Sequence, residues 1–160
     1  MTEKNDPENP KGPKKVYGAT DIIIEYNDGH KEGIVLIERL NPPYGFALPG
    51  GILETYLSPG ENAVKEAKEE TNLEVIIEDE ERPFLVKGKP DRDPRARVVS
   101  LVYIAKGTGT LKAGDDAKKA GVYTTQEIID DFLGRNPFAF DHEDIIKSYL
   151  QFKGYSSEEL

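Results

Sequence analysis

Three carboxylates crowd one short stretch of this chain, Lys65-Glu66-Ala67-Lys68-Glu69-Glu70. Glu66 and Glu70 are four residues apart and Glu66 and Glu69 three apart, spacings that put side chains on one surface of a helix. Like charges so placed destabilise a helix by roughly 0.2–0.5 kcal/mol per pair. A hard divalent cation offsets that repulsion, because Mg²⁺ takes oxygen ligands and is often held by one or two carboxylates together with substrate phosphates. The plain alternative is a solvated helix face on which Lys65 pairs with Glu69. Two neighbouring features favour the cation. Ala63 and Ala67 leave the opposite face small enough to lie close on a sheet, and Gly50-Gly51 upstream offers bare backbone whose carbonyl can join the same ion.

The helix that presents these acids has its ends written in the sequence. Ser58-Pro59-Gly60-Glu61 fits a capping box with proline at the first helical position. Asn72 stands where a left-handed residue closes a helix. Upstream, residues 21–26 and 33–40 read as two strands joined through the turn Asn27-Asp28-Gly29. Residues 41–45 (NPPYG) form a loop, and 46–51 an extended piece that ends in the Gly pair. Downstream, 73–77 reads as a strand, and the apolar run 98–105 as a strand buried on both faces. A short last strand is expected at 121–123. Residues 125–132 and 141–152 read as helices, the second capped by Asp141 and striped by Ile145, Ile146, Tyr149 and Leu150. Strands interleaved with helices predict an α/β domain, a mixed β-sheet covered by helices. It is expected over 17–153, between a disordered N-terminal tail (1–16) and a C-terminal tail (154–160).

Bulk properties narrow the chemistry. A chain of 160 residues suits one domain. It has no cysteine, so disulfides, thiolate metal sites and thiol nucleophiles are excluded. Thirty acids against 21 bases give a formal net charge of −9, which argues against nucleic acid or an anionic membrane as partner. An anionic small molecule stays admissible, because bound cations reverse the local sign. No apolar run approaches the roughly 18 residues of a membrane span, and the N-terminus lacks the apolar core of a signal peptide. A cytoplasmic protein is expected.

The stretch 51–73, GILETYLSPGENAVKEAKEETNL, resembles the Nudix box, G-x5-E-x7-R-E-U-x-E-E-x-G-U with U aliphatic. Gly51, Glu66, Glu69, Glu70 and Leu73 match, Leu48-Pro49-Gly50 is the usual lead-in, and Glu54 is a common family acid. Leu57, Lys65 and Asn72 depart from the family's Glu, Arg and Gly. The first two belong to an ion pair that braces loop against helix, so that brace is expected to be missing. Residues 39–51 (RLNPPYGFALPGG), Asp91-Arg92-Asp93-Pro94-Arg95 followed by VVSLVY, Asp115–Lys119 and Phe140-Asp141-His142 are together similar to the ADP-ribose pyrophosphatase branch.

The resemblance implies a Nudix-like α/β/α sandwich and attack of water on a phosphorus of a diphosphate, with ADP-ribose giving AMP and ribose 5-phosphate. It implies Mg²⁺, with Mn²⁺ as the other candidate, on Glu66, Glu70, Glu69 and the carbonyl of Gly50. The base is left among Glu66, Glu69 and the acids around Asp115 and Asp116. Arg39, Arg95 and Arg97 are candidate phosphate contacts, since guanidinium forks suit phosphate; surface charge is the alternative for each. Tyr44 and Phe46 are candidates for stacking on a base, against the alternative of packing in the domain. His142 is expected to be structural. A small nucleotide is the expected partner, with a homodimer as the assembly common in this branch. Two other functions fit the same residues: a binding module that senses a nucleotide sugar without cleaving it, and a pyrophosphatase acting on nucleoside triphosphates.

Overall fold

The computed structural model describes residues 15–160. The expected N-terminal tail therefore lies outside the described residues, except for Lys15 and Val16, which are exposed. The strands are β1 (Tyr17–Asn27), β2 (Glu32–Arg39), β3 (Gly45–Ala47), β4 (Gly50–Ile52), β5 (Glu74–Ile76), β6 (Leu85–Lys87), β7 (Val98–Thr108) and β8 (Ala117–Tyr123). The helices are α1 (Pro59–Thr71), the short α2 (Thr125–Glu127) and α3 (His142–Phe152).

The strands form one mixed sheet. β1 and β7 run parallel along nine paired residues, from Tyr17↔Val98 to Glu25↔Lys106. All other pairings are antiparallel. β2 pairs with β1 only at Glu25–Asn27, and farther along the same edge β4 pairs at Ala19–Asp21. β1 and β2 therefore splay apart, and the extended segment carrying the Gly pair fills the opening. The central strands show why both faces must be covered. Successive residues point to opposite sides, so Ile23, Ile34 and Leu36 pack under α3 with Ile145, Ile146, Tyr149 and Leu150. Ile22, Ile24 and Val35 pack under α1 with Ala63 and Ala67. The expected α/β/α layering follows from that alternation.

Local signals hold in detail. Ser58 Oγ accepts from the Glu61 amide and the Glu61 carboxylate accepts from the Ser58 amide, the two halves of a capping box. Asn72 closes α1 in the left-handed region at φ 66°, its amide donating to the Lys68 carbonyl. Other features differ from expectation. β1 begins at Tyr17 because pairing with β7 recruits Gly18 and Ala19, which have no strand signal of their own. β6 is a three-residue strand between prolines, made regular only by pairing with β7. The helix expected over 125–132 is α2 followed by a π-helical turn (Ile128–Phe132), in which the Leu133 amide reaches the Ile128 carbonyl at 3.0 Å. Asp141 begins α3 without a side-chain cap bond; its carboxylate serves elsewhere, as described below. Residues 154–160 fold back, with Tyr155 and Leu160 against the α3 side of the core. No helix among the described residues is long and apolar enough to cross a membrane.

The left-handed closure makes Asn72 a test of backbone rather than packing. Asn72→Gly should hold the melting temperature within a few degrees. Asn72→Val forces a β-branched residue to positive φ and should cost roughly 1–2 kcal/mol, read as a lower midpoint in thermal or urea unfolding.

Candidate active site

α1 lies on the sheet through Ala63 and Ala67, both fully buried, and their small size brings the helix backbone close. Glu66 and Glu70 consequently reach over the sheet edge to the Gly pair. A Cβ on Gly51 would lie 2.5 Å from the Glu66 carboxyl carbon. A Cβ on Gly50 would overlap the Thr20 carbonyl and the Asp21 carboxylate. The Gly50 amide donates to Glu70 Oε2 at 2.9 Å. Both glycines are thus required by close approach, and the two carboxylates share one side of the helix.

Crowding shows in the proton affinities. Burial pushes the Glu70 carboxyl up to about 8; the Gly50 amide pulls against this, and the charges of Glu66 and Asp21 add to it. The Glu66 carboxyl is also raised, first by burial, with Lys65 opposing and Glu69 adding. Glu69 sits farther round the helix, half exposed, and takes Lys65 Nζ at 2.8 Å. Among the described residues no three acidic or imidazole groups already form a cage for an ion. Two repelling carboxylates beside bare backbone still fit Mg²⁺ or Mn²⁺, which commonly draws its remaining ligands from water and substrate phosphates. Glu66 and Glu70 are the residues that would hold it.

The cleft is lined by Asp21, Arg39, Gly50, Gly51, Glu70, Arg95 and Phe140 among others. Arg39 faces Glu70 across it, its Nε donating to the Pro43 carbonyl at 2.7 Å. Arg95 is held by Asp93, through Nε at 3.1 Å and a terminal nitrogen at 2.9 Å. The other candidates lie elsewhere. Arg97 donates to the Gly88 carbonyl and braces a loop. Tyr44 is 66 % exposed and outside the lining. Phe46 packs edge-on against Tyr123 and Phe132 in the core. Asp115 and Asp116 are exposed, with the Asp116 charge felt at both Glu66 and Arg39. Lys118 and Lys119 pair weakly with Glu38 at the surface.

Beneath the Gly pair lies a buried polar network that local sequence patterns do not announce. His142 Nδ1 accepts from the Leu48 amide at 3.0 Å, which leaves the proton on Nε2, 3.5 Å from Asp21. Asp21 also accepts from Ser100 Oγ at 2.5 Å. Burial alone would raise the Asp21 carboxyl; His142, Ser100 and Arg92 outweigh it and hold it below its ordinary value. Arg92 grips Asp141 with two bonds, 2.9 and 2.7 Å, and lies 3.8 Å from Asp21. His142, which also lines the cleft, thereby fixes the segment that leads into Gly50.

The ion-pair brace is missing, as Leu57 and Lys65 imply, and other contacts join the loop to the helix. Lys65 Nζ stands 3.9 Å from Glu54. Fully buried Asn62 accepts from the Glu54 amide at 3.0 Å and donates to Thr20 Oγ1 at 2.8 Å. Loop, helix and β1 are joined through one amide, while Leu57 is half buried.

Comparison with known proteins bears on the same residues. A family model described as the NUDIX domain matches residues 16–149. An ADP-ribose pyrophosphatase of Methanocaldococcus jannaschii is 43% identical over 138 residues, covering 84% of this chain and 73% of that one. A crystal structure of a MutT/nudix family protein from Enterococcus faecalis superposes with a TM-score of 0.71 at 28% identity, over 88% of this chain and 63% of that one. This chain thus spans less than two thirds of the Enterococcus protein. The NUDIX domain of Shewanella oneidensis NrtR, crystallised with ADP ribose, gives a TM-score of 0.71 at 18% identity, over 96% of this chain and 99% of that one, a likeness of fold alone.

The raised Glu70 pKa has a consequence for stability. Between about 4.5 and about 8 the folded protein holds a proton on Glu70 that the unfolded chain has lost, so this contribution to stability disappears as pH rises through that window. In EDTA, the melting temperature of Glu70→Gln relative to the parent should rise between pH 5 and pH 8.5. Added Mg²⁺ should stabilise the parent most at the alkaline end.

Proposed function

The chain belongs to the NUDIX family and is a Nudix hydrolase, and from that premise we propose that it hydrolyses ADP-ribose to AMP and ribose 5-phosphate. The observation that carries this reading is the pairing of opposite walls. Glu66 and Glu70 press on the Gly pair at one side of the cleft, and Arg39 and Arg95 face in from the other. Such a cleft suits a diphosphate that carries a cation on one edge and needs guanidinium donors on the other. The 43% identical relative named ADP-ribose pyrophosphatase supports ADP-ribose as the molecule that bears it.

Hydrolases of this family use a divalent metal, and Mg²⁺ or Mn²⁺ is the ion of this reading. When bound, it supplies charge screening at the phosphate oxygens and an acidified water. Glu66 and Glu70 would hold it, with the Gly50 amide orienting Glu70. Glu69, half exposed and paired with Lys65 at 2.8 Å, is the carboxylate that in this reading orients the attacking water and takes its proton. Arg39 and Arg95 bind the phosphate oxygens. Water adds to phosphorus, the bridging P–O bond breaks, and the leaving phosphate departs as the second product. The enclosed part of the cleft measures about 40 Å³, far below the roughly 300–1,000 Å³ of a site that engulfs its ligand. The nucleoside therefore rests on more open surface, which is where a second copy in a homodimer would contribute. A cytoplasmic setting belongs to the same reading.

Pure protein incubated with Mg²⁺ and ADP-ribose should release AMP. Glu70→Gln should lower kcat on the order of a hundredfold or more, since the lost stabilisation is several kcal/mol. ADP-ribose bound without AMP release would instead identify a sensing module, and pyrophosphate from a nucleoside triphosphate a different substrate class. Gly51→Ala, which drives a methyl group into the Glu66 carboxylate, should cost roughly a hundredfold in kcat while circular dichroism stays native.

A further inference from the structure

Phe140 stands out as a strained residue at the cleft. Its φ is +56°, in the left-handed region where a bulky side chain is costly and where outliers gather at functional sites. Its ring meets two cations: the Arg39 guanidinium carbon is 4.9 Å from the ring centroid and that of Arg95 5.2 Å. The His142 ring, fixed in the buried network, lies 5.1 Å away on the same aromatic group.

Burial lowers the Arg39 pKa, and repulsion from Arg95 lowers it further. Arg95 has Asp93 at its side; among the described residues Arg39 has no carboxylate within ion-pair distance, only the Pro43 carbonyl on Nε. Each guanidinium is thus anchored along one edge by its own neighbour. The group the two share is the face of Phe140, whose negative quadrupole attracts both. We infer that Phe140 is a positioning residue, which holds Arg39 and Arg95 together as a two-pronged clamp for the diphosphate; this rests on the substrate reading above. Its unfavourable backbone conformation is retained because the 139–142 turn must bring the ring to both arginines while Ala139 and His142 stay buried. The alternative, that the ring only fills space against Ile37, Ala47 and Ala117, makes opposite predictions.

Steady-state kinetics on ADP-ribose with Mg²⁺ should show Phe140→Leu raising KM about tenfold, the scale of a cation–π contact or two, with kcat within threefold. Phe140→Tyr keeps the ring and should restore KM. Phe140→Gly removes the ring together with the positive-φ cost, and KM should worsen as in Phe140→Leu. In an Arg39→Ala, Arg95→Ala background, Phe140→Leu should change KM less than twofold, because nothing remains to position. Calorimetric titration with inorganic diphosphate and Mg²⁺ reads the clamp without turnover and should lose the same factor. The inference is overturned if Phe140→Leu leaves KM and diphosphate affinity within twofold, or if its effect persists undiminished without the arginines. If the parent releases no AMP yet Phe140→Leu weakens diphosphate binding tenfold, the substrate reading fails and the clamp stands.

Discussion

Glutamates one helical turn apart can share a site with a backbone only if that backbone carries no side chains. Gly50 and Gly51 meet this condition, and the rest of the site follows from it. The Glu66 carboxylate occupies the space where a Gly51 β-carbon would be, Thr20 and Asp21 fill that space at Gly50, and Glu70 accepts from the Gly50 amide. The helix can come that near because Ala63 and Ala67 are its contact with the sheet. Burial then raises the cost of a charge on Glu70, in a cleft that Arg39 and Arg95 also line. A cation and a polyphosphate together neutralise both walls, whereas either alone worsens one of them.

The Gly pair is held from beneath by groups remote from the acids. Asp21, in the middle of β1, takes the Ser100 hydroxyl and faces both His142 and Arg92. His142, at the start of α3, fixes the Leu48 amide. Buried charges are retained at little loss when every partner is present and are strongly destabilising when one is removed, so this network ties the position of the Gly segment to the docking of α3. One consequence is that the two layers of the sandwich meet chemically under the site. α1 supplies the carboxylates that meet the Gly pair, and α3 supplies the support for that backbone.

The loop between the Gly pair and α1 illustrates substitution of one brace by another. Leu57 and Lys65 stand where an ion pair would otherwise hold this loop. Here Lys65 turns to Glu54 and Glu69, and Asn62 joins the loop to β1 from within the core. An amide buried with both of its ends bonded is directional, and it needs no neutralising charge.

What the sequence determined by itself was whatever depends on neighbours a few residues away. The capping box at Ser58, the left-handed close at Asn72 and the convergence of Glu66 and Glu70 follow from helix geometry, and the alternation of Ile22, Ile23 and Ile24 calls for a covered sheet. Tertiary structure decided the rest, because the partners are far apart along the chain: 94 residues between Leu48 and His142, 79 between Asp21 and Ser100, 49 between Arg92 and Asp141. Asp141 looks like a helix cap in sequence and is drawn instead to a buried guanidinium. Arg95 and Arg97 are indistinguishable as letters two apart, yet the turn on Asp93 sends one into the cleft and the Gly88 carbonyl keeps the other out. Tyr44 and Phe46 were equally open to stacking, until the fold left the first exposed outside the cleft and the aromatic core claimed the second. Local bonding rules are set by chain geometry at short range; which of several chemically equivalent side chains reaches the site depends on packing between elements, and that exists only once the chain has folded.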